Sequence, residues 1–269
     1  MENNKTIQDF YQSYNENGRI ERHPLEFIRT KDIILRNLPK KSIKIIDLCG
    51  ASGHYAYWLA EMGHEVHLMD LSPKHIDEAK NNRKKYNAEL ASITCGDARS
   101  LKFENESFDM VLLMGALYHL QEINDRIQCL KEVYRILKKD RIAILSYISR
   151  FAAMLDGFTK GLIDDPLYCD IVNNDIFKGK HNNQDNKHKY FTNAYMHSTN
   201  EIYNELLATN FKNILHYAVE GFGSMINCDE YINDKDKLKK LLNYLRITEQ
   251  NMELIGISHH QLVICGKNI

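Results

Sequence analysis

The feature that most constrains this chain is an alternation of short apolar runs with longer amphipathic segments across residues 43–147. The apolar runs IKIIDL, EVHLMD, ASITC, FDMVLLM and RIAILSYI have the length and composition of buried strands. The segment after the first run places Tyr55, Trp58, Leu59 and Met62 at the i, i+3, i+4 and i+7 spacing of one helix face. Strands separated by such segments form right-handed βαβ units, so the sequence predicts a parallel sheet with helices on both faces.

The segments on either side of this block complete the predicted organisation. Two later apolar runs, near 214–219 and at HQLVICGK, predict an α/β fold with a doubly wound, mostly parallel seven-stranded sheet. Residues 1–40 are predicted to form a helical lid, 41–150 the core of the sheet, 151–199 an inserted cap, and 200–269 the C-terminal part of the core sheet. The cap segment is irregular and ends in the polar run KGKHNNQDNKHKY, which predicts a solvated, mobile loop.

The turn after the first strand, Cys49–Gly53, lies where open α/β sheets bind their ligands. A dinucleotide fold would present G-x-G-x-x-G there, but Leu48 and Gly50 stand at the first two glycine positions, so the fingerprint fails. No Gly-Lys-Ser/Thr follows, which excludes a P-loop. Asp47 stands directly in front of the turn, and a carboxylate at that place repels phosphate but attracts an ammonium or sulfonium group.

Carboxylates mark the ends of three successive strands. Besides Asp47, Asp70 ends the second strand and is suited to accept hydrogen bonds from both hydroxyls of a ribose. Asp97, in the run CGDAR after the third strand, can accept a hydrogen bond from the exocyclic amine of an adenine. These positions together describe a ligand with a cationic amino-acid end, a ribose and an adenine, which is the composition of S-adenosylmethionine.

These motifs resemble those of class I S-adenosylmethionine-dependent methyltransferases, which have a Rossmann-like fold. DLCGASG corresponds to the acidic, glycine-rich first motif, GDAR to the adenine-binding segment, FDMVLLMGALYHL to the fourth motif, and RILKKDRIAIL to the helix, turn and strand that follow. LYHL, ISRF, YFTNAYMHSTNEI and LIGISHHQLVICGK resemble one bacterial group of small-molecule methyltransferases over nearly the whole chain. The resemblance implies S-adenosylmethionine as cofactor and S-adenosylhomocysteine as product. The cofactor-binding residues that it implies are Asp47, Gly50, Ala51, Ser52, Gly53, Asp70, Leu71, Asp97, Ala98, Met114, Gly115 and Tyr14.

The first motif departs from the family pattern, because Cys49 and Ala51 replace two of its alternating glycines. Both residues are small, and Ala51 still lets backbone N–H groups approach the cofactor if its φ angle stays negative. In LKKDRI the usual proline and two glycines are absent, which affects a turn far from the site.

Tyr118 and His119 follow the fourth strand, where a methyl acceptor would lie, and are the candidate catalytic residues. A histidine suits general-base work because its ordinary pKa is close to neutral. The alternative is that His119 packs or caps, since methyl transfer to a good nucleophile needs positioning more than acid–base help.

The candidate substrate-binding residues come from the lid and the cap. Tyr11, Arg19 and Arg29 are predicted to lie in a lid that closes over the cofactor, with an arginine for a substrate carboxylate. A solvated amphipathic helix is the alternative interpretation of this segment. Tyr195 and His197 are predicted substrate contacts in the cap, although aromatic residues there are more often part of a core.

Four histidines outside these motifs, His181 with His188 and His259 with His260, raise the question of a metal site. Neither pair has a cysteine or a carboxylate at the spacing of zinc ligands. The sequence therefore predicts no metal, and it places these histidines in a surface loop and at the start of a strand.

The charge balance bears on the acceptor. With 35 basic and 36 acidic side chains and no lysine/arginine tract, the chain lacks the electrostatic footprint of nucleic-acid binding. This favours a small molecule methylated on oxygen, nitrogen or sulfur. An RNA or protein acceptor, a nicotinamide-dependent oxidoreductase and a non-catalytic cofactor-sensing module remain alternatives. Unpaired cysteine spacing and the lack of an apolar signal or spanning run predict a cytoplasmic protein with no membrane partner.

Overall fold

The computed structural model describes residues 2–14, 18–183 and 189–267, which form a seven-stranded sheet covered by helices and a separate two-stranded sheet. The strands are β1 (Lys44–Leu48), β2 (Glu65–Asp70), β3 (Ser92–Cys95), β4 (Phe108–Leu113), β5 (Leu137–Ile148), β6 (Lys180–His181), β7 (Ala194–Tyr195), β8 (Lys212–Ala218) and β9 (His260–Gly266). The helices are α1 (Glu2–Ser13), α2 (Arg19–Arg22), α3 (Pro24–Asn37), α4 (His54–Glu61), α5 (Pro73–Asn82), α6 (Ala116–His119), α7 (Ile123–Ile136), α8 (Ala152–Thr159), α9 (Pro166–Lys178), α10 (Thr199–Ala208), α11 (Asp229–Ile232), α12 (Lys235–Thr248) and α13 (Met252–Ile255).

The strand order of the large sheet is β3-β2-β1-β4-β5-β9-β8. The first five strands are parallel, whereas β9 pairs antiparallel with both β5 and β8. From β1 the chain moves to β2 and β3 on one side and to β4 and β5 on the other. The predicted doubly wound, mostly parallel seven-stranded sheet is confirmed, and the switch of direction at β1 is where such sheets bind ligands.

The core explains why the end of β1 is held firmly. Ile45 packs with Ile33 and Leu59 from α3 and α4 on one face, and Ile46 packs with Leu130 from α7 on the other. Each fully buried aliphatic side chain stabilises the fold by about 1.5–3 kcal/mol. Because β1 is packed on both faces, the loop that follows it starts from a fixed position.

The cap has more regular structure than the sequence predicts. Helices α8 and α9 occupy much of residues 151–199, and β6 pairs antiparallel with β7. The prediction that KGKHNNQDNKHKY is a solvated loop is wrong for its first part, because His181 and Asn183 are buried. Their burial follows from contacts with Asp175 in α9 and with the backbone near Tyr190, which no local pattern encodes. Residues 184–188, and His188 with them, lie outside the described part of the chain.

The fifth strand begins earlier than its apolar run. β5 starts at Leu137, directly after α7, and includes the LKKD residues that were predicted to form a turn. Asp140 has a φ of +55°, and the pairing register with β4 shifts between Phe108 and Met110. An irregularity within the strand therefore replaces the glycine-containing turn of the family pattern.

Candidate active site

A cleft opens beyond the carboxyl ends of β1, β2, β3 and β4, and helix α1 lies across it. We call it the strand-end cleft. Its walls are formed by Ile7, Gln8, Tyr11, Arg19, Cys49, Gly50, Ala51, His54, Tyr55, Asp70, Leu71, Ser72, His75, Asp97, Ala98, Met114, Gly115, Ala116, Tyr118, His119 and Leu120. Eight of the twelve predicted cofactor-binding residues are in this set: Gly50, Ala51, Asp70, Leu71, Asp97, Ala98, Met114 and Gly115.

The loop Cys49–Gly53 adopts a backbone that the sequence did not predict. Ala51 has a φ of +47° and Cys49 a φ of +59°, so the expectation of a negative φ at Ala51 is wrong. The left-handed conformation costs an L-residue roughly 1–2 kcal/mol. It turns the Ala51 N–H towards Asp70, whose Oδ2 accepts it at 3.0 Å. Gly53, with a φ of +88°, ends the loop as the N-cap of α4.

Asp47 lies under this loop rather than in the cleft. Its side chain is fully buried, and a Cβ at position 50 would stand 2.6 Å from Asp47 Oδ2, so only glycine fits above it. Neither carboxylate oxygen makes a hydrogen bond to a described residue, and the Ala56 amide favours the ionised form without reaching hydrogen-bond geometry. Burial, followed by the negative charge of Asp70, raises the pKa of Asp47 to about 8.

Asp70 is built into the cleft wall at the end of β2. Its Oδ1 accepts hydrogen bonds from the Ser72 amide at 2.8 Å and contacts His75 Nδ1 at 3.1 Å, and its Oδ2 accepts from the Ala51 amide. The side chain is almost buried but still lines the cleft. A carboxylate has about four acceptor sites, so Asp70 can hold the loop and retain lone-pair capacity for a ligand.

Asp97 stands at the far end of the cleft, after β3. Arg99 donates to both carboxylate oxygens, at 3.0 Å from Nε to Oδ1 and 2.6 Å from Nη2 to Oδ2. The Asp97 side chain remains 31% exposed, so this ion pair leaves it accessible from the cleft. The crevice beside it is open, with Ala98 and Leu71 on its walls.

Tyr118 and His119, the candidate catalytic residues, lie at the other end of the cleft. His119 Nε2 is 2.9 Å from the hydroxyl of Tyr11 in α1, and the Asn193 backbone also interacts with the ring. Burial lowers the pKa of His119 to about 4. At neutral pH His119 is therefore an uncharged ring engaged with the lid helix, which makes it a weak base for an acceptor.

Helix α1 is fastened to the sheet domain by side chains near the cleft. Gln8 Nε2 donates to the Leu71 carbonyl at 3.1 Å. Lys74 Nζ donates to the carbonyl oxygens of Tyr11, Gln12 and Tyr14 at 2.9, 3.0 and 3.1 Å. A cation that caps the C-terminal carbonyls of a helix also complements the helix dipole, so Lys74 stabilises the closed position of α1.

A second cavity, which we call the cap chamber, lies between α1, the cap and the start of β9. It shares Tyr11, Arg19 and Tyr118 with the strand-end cleft, so these residues stand where the two cavities meet. Its other walls are Phe10, Tyr14, His23, Glu26, Ile148, Ala152, Ala153, Asp156, Lys160, Leu162, Tyr168, His181, Lys189, Tyr190, Phe191, Met196, Glu220, His259 and His260.

Several solved structures with this fold are described as methyltransferases. A SAM-dependent methyltransferase from Methanosarcina mazei superimposes with a TM-score of 0.59 at 17% identity, over 88% of this chain and 97% of that chain. Phosphoethanolamine N-methyltransferase 2 of Haemonchus contortus, solved in complex with S-adenosyl-L-methionine, gives a TM-score of 0.58 at 16% identity, over 97% of this chain and 60% of that chain. At these identities the likeness shows the fold.

A family model and sequence relatives also match this chain. The family described as Methyltransferase domain matches residues 46–145, the part of the chain that forms most of the cleft wall. The chloroplastic 2-phytyl-1,4-beta-naphthoquinone methyltransferase of Arabidopsis thaliana is 28% identical over 194 residues, which are 68% of this chain and 69% of that protein. The domain match, the fold and the named relatives together support a class I S-adenosylmethionine-dependent methyltransferase.

The cleft of the methyltransferase fits S-adenosylmethionine, its cofactor, better than a pyrophosphate. The Ala51 amide, a donor that a phosphate would use, already binds Asp70. Asp47 lies beneath the same loop, where burial raises its pKa to about 8, so it brings no fixed negative charge to the cleft at neutral pH. A cationic amino-acid end does not need that amide. Of the three strand-end carboxylates, Asp70 and Asp97 line the cleft, whereas Asp47 does not.

Three predicted substrate-binding residues of the methyltransferase lie away from both cavities. Arg29 is fully buried, and it donates to the Val219 carbonyl at 3.1 Å and to Glu249 at 2.5 Å. Tyr195 stacks under the guanidinium of Arg126 (3.7 Å), and His197 is fully buried beside Tyr195. Their placement in the substrate site is wrong, because buried ionic partners that are distant in sequence hold them elsewhere.

The other predicted residues are divided between the cavities and the loop. Tyr11 and Arg19 line both cavities, whereas Tyr14, a predicted cofactor contact, lines only the cap chamber. Ser52 is buried behind the loop, where its carbonyl accepts from Asn82 Nδ2 at 3.0 Å. Asp47, Ser52 and Gly53 therefore support the cofactor loop instead of lining the cleft.

Sequence reasoning missed an ionic cluster in the cap chamber, formed by Arg19, Glu26, Glu220 and His260. Arg19 Nη1 donates to Glu26 at 2.6 and 2.5 Å, and His260 Nδ1 is 2.6 Å from Glu220 Oε1. Burial opposes the charged imidazole, but Glu26 and Glu220 outweigh it and raise the pKa of His260 to about 9. The members come from four separate segments, so no local spacing could have revealed them.

The same cluster corrects the sequence argument about metals. Ligand atoms of Glu26, Glu220 and His260 lie within 4.8 Å of one another, so His260 does have neighbouring carboxylates. These atoms are already engaged: Arg19 binds Glu26, and Glu220 Oε2 accepts from Ser258 at 3.0 Å. The arrangement is therefore a closed ion-pair network, and a metal would have to displace a guanidinium.

No helix in the described part of the chain combines the length and the apolar character that spanning a membrane requires.

Proposed function

We propose that this methyltransferase transfers a methyl group to oxygen, nitrogen or sulfur of a small molecule held in the cap chamber. The observation that carries the proposal is the meeting of two cavities at Tyr11, Arg19 and Tyr118 beneath α1. The cap chamber has a volume of about 370 Å³, within the range of small-molecule sites. A covered chamber of this size suits a metabolite better than an RNA or protein chain.

The cofactor would lie along the strand-end cleft. Asp70 would accept hydrogen bonds from the ribose, Asp97 from the adenine amine, and the Gly50–Ala51 backbone would adjoin the amino-acid end. Leu71, Ala98 and Met114 are in the cleft wall and would pack against apolar parts of the cofactor; Gly115 leaves room beside Tyr118. S-adenosylmethionine supplies an electrophilic methyl group on a sulfonium.

The protein's own contribution is positioning and exclusion of water. Helix α1, fastened by Lys74 and Gln8, covers the cleft, and Tyr11 on its inner side contacts His119. Tyr118, whose hydroxyl donates to the Met114 carbonyl at 3.2 Å, forms the boundary at which an acceptor would meet the methyl group. Holding two reactants in line inside a dry cavity can supply most of the rate of a methyl transfer.

The lining of the cap chamber favours an aromatic acceptor with a polar end. Tyr118, Tyr168, Tyr190 and Phe191 give one side flat apolar surfaces, and the Arg19–Glu26 pair gives the other side charged groups. The plant relative is named for a naphthoquinone. A reduced naphthoquinone is therefore a suitable first probe, alongside simple phenols, aryl amines and thiols.

The test is a transfer assay with methyl-labelled S-adenosylmethionine. We expect labelled product from at least one probe of this panel or from a small-molecule extract, together with S-adenosylhomocysteine. The control is Asp70→Ala, which should abolish calorimetric cofactor binding. Label that appears only in RNA or protein would refute the small-molecule acceptor, and cofactor affinity unchanged in Asp70→Ala would refute the placement of the ribose.

A further inference from the structure

The cap chamber contains a buried histidine–carboxylate pair that the cofactor cleft does not use. His181 in β6 lines the chamber, and its Nδ1 is 2.8 Å from Asp175 Oδ2 in α9. The side chains are 3% and 0% exposed. His181 Nε2 has no hydrogen-bond partner among the residues that the structure describes. A buried polar atom without a partner costs roughly 1–3 kcal/mol, so an unpartnered nitrogen on a residue that lines a chamber is a candidate contact for a ligand.

The contact with Asp175 indicates which ring nitrogen is available. An ionised Asp175 accepts a hydrogen bond from Nδ1–H, and this arrangement leaves the lone pair of the neutral imidazole on Nε2. Asp175 is anchored within helix α9, and His181 is held by the pairing of β6 with β7. Gln121 adds a second anchor, because its Nε2 donates to the His181 carbonyl at 3.3 Å.

The pair lies close to the meeting point of the two cavities. The His181 ring is 6.0 Å from the ring of Phe191, and Phe191 is in turn 5.7 Å from His119 and 6.4 Å from Tyr118. An acceptor that stacks on Phe191 can therefore lie between His181 and the end of the strand-end cleft.

We propose that His181, oriented by Asp175, is the general base that takes the proton from the methyl acceptor. The inference rests on the proposed small-molecule function. As the acceptor atom forms its bond to the methyl carbon, its own X–H bond breaks and the proton moves to His181 Nε2. The methyl–sulfur bond breaks with its electron pair remaining on sulfur, which leaves S-adenosylhomocysteine. The imidazolium is then paired with the Asp175 carboxylate, and its proton passes to solvent.

The other histidines of the two cavities are less suited to this role. His119 is engaged by Tyr11, and burial lowers its pKa to about 4. His259 Nε2 is 3.5 Å from Asp156 Oδ1, beyond hydrogen-bond distance, and burial lowers the pKa of the His259 ring. His260 is paired with Glu220, and its raised pKa of about 9 means that it carries a proton at neutral pH.

The burial of Asp175 and the charged groups near it act on its pKa in opposite directions. Burial raises the pKa of Asp175, and the interaction with His181 opposes that rise. Arg150 also lowers the pKa of Asp175 through its charge, although its own guanidinium binds Glu201 at 2.5 Å. His181 contacts Asp175 directly, whereas Arg150 is paired with Glu201. Replacing the Asp175 carboxylate should therefore change the orientation and protonation of the His181 ring.

The kinetic test compares acceptors that differ in acidity, using the full chain. The probes, assayed at about pH 8.5, are 4-methylphenol, which is still mostly protonated at that pH, and 4-nitrophenol, which is largely ionised. For His181→Gln we expect kcat to fall roughly 100-fold with 4-methylphenol and less than about threefold with 4-nitrophenol. Asp175→Asn should give the same pattern, and Asp170→Asn, an exposed position of the same helix, is the matched control. Equal losses with both phenols would overturn the proposal.

A second measurement tests the proposed protonation of the His181 ring and needs no methyl acceptor. Nitrogen-15 NMR of the histidine rings reports which nitrogen carries the proton. We expect the Nδ1–H tautomer for His181 in the wild type and in Asp170→Asn, and a change of tautomer in Asp175→Asn, whose amide can donate to Nδ1. An Nε2–H tautomer in the wild type would refute the general base, whatever the kinetics show. If the wild type transfers no label to any small molecule, the proposed function fails, and that result is distinct from a selective loss in His181→Gln.

Discussion

The buried carboxyl of Asp47 permits a quantitative test of how the cofactor loop is built. Asp47 is fully buried, and within the described part of the chain neither of its oxygens makes a hydrogen bond. Burial and the charge of Asp70 raise its pKa from the ordinary 3.8 to about 8. The substitution Asp47→Asn keeps the shape of the side chain and removes its titration.

The size and sign of the effect follow from the two pKa values. The folded protein holds the Asp47 proton more tightly than the unfolded chain does, so ionisation opposes folding. The free energy of unfolding should therefore fall as the pH rises from about 4 to about 8, by up to about 1.4 kcal/mol per pH unit. At pH 7 the accumulated loss is about 4 kcal/mol, and above about pH 8 it grows no further.

The assay is urea unfolding of the cofactor-free wild type and Asp47→Asn between about pH 5 and pH 9. The variant should gain stability relative to the wild type by about 1 kcal/mol per pH unit until the difference levels off near pH 8. The asparagine amide also lacks partners, but that cost is the same at every pH.

Asp109→Asn provides a control on the same sheet. Burial opposes ionisation of Asp109, but the Lys44 amide and Lys138 outweigh it and lower its pKa, so its removal should destabilise by an amount independent of pH in this window. A difference between Asp47→Asn and the wild type that does not vary with pH would mean that Asp47 is ionised in the folded state. The account of a neutral acid beneath Gly50 would then be refuted.

Four further substitutions test separate parts of the structure. Asp70→Asn should weaken S-adenosylmethionine binding roughly 10- to 100-fold by calorimetry, since a hydrogen bond to a charged group contributes about 1.5–3 kcal/mol; an unchanged Kd would contradict the ribose contact. Ala51→Gly should raise the free energy of unfolding by about 1 kcal/mol, because it removes the strain of a positive φ; a loss of stability would show that the loop is not strained. Lys74→Met should speed amide exchange in α1 and cofactor release, with unchanged exchange disproving the cap on the helix. Glu249→Gln should cost about 3 kcal/mol in urea unfolding, because Arg29 keeps its buried charge, while cofactor affinity stays the same; weaker cofactor binding would place Arg29 in the site after all.

The cofactor half of the site was predictable because its residues follow directly after single apolar runs in the sequence. A parallel strand places its last residue at one edge of the sheet, so Asp70 and Asp97 could be assigned to the cleft from the end of an apolar run alone. The same logic brought Asp47 to the right loop but not to the right depth. Whether its carboxylate faces the cavity depends on how Gly50 packs above it. That packing is a tertiary contact, and the spacing of apolar residues does not predict it.

Two arginines of the predicted lid show what the neighbouring sequence could not predict. Arg19 and Arg29 both stand in the predicted lid, and charge pattern alone gave them the same role. Arg19 lines both cavities, whereas Arg29 is buried against Glu249, a residue that is 220 positions away. The contact with Glu249 determines that the Arg29 face of α3 is buried, and the sequence near Arg29 does not indicate this contact.

The sequence by itself determined the parallel sheet, the switch point at β1 and the row of carboxylates beyond the strand ends, because these depend on the spacing of apolar residues within single segments. Only the tertiary structure determined which residues line the cap chamber, where we propose that the methyl acceptor binds. Residues from α1, α3, the cap and β9 meet in the cap chamber, and His181 acquires Asp175 only when β6 folds back onto α9. The spacing of apolar residues indicates which face of a helix or strand is buried, but it does not indicate which distant element packs against that face.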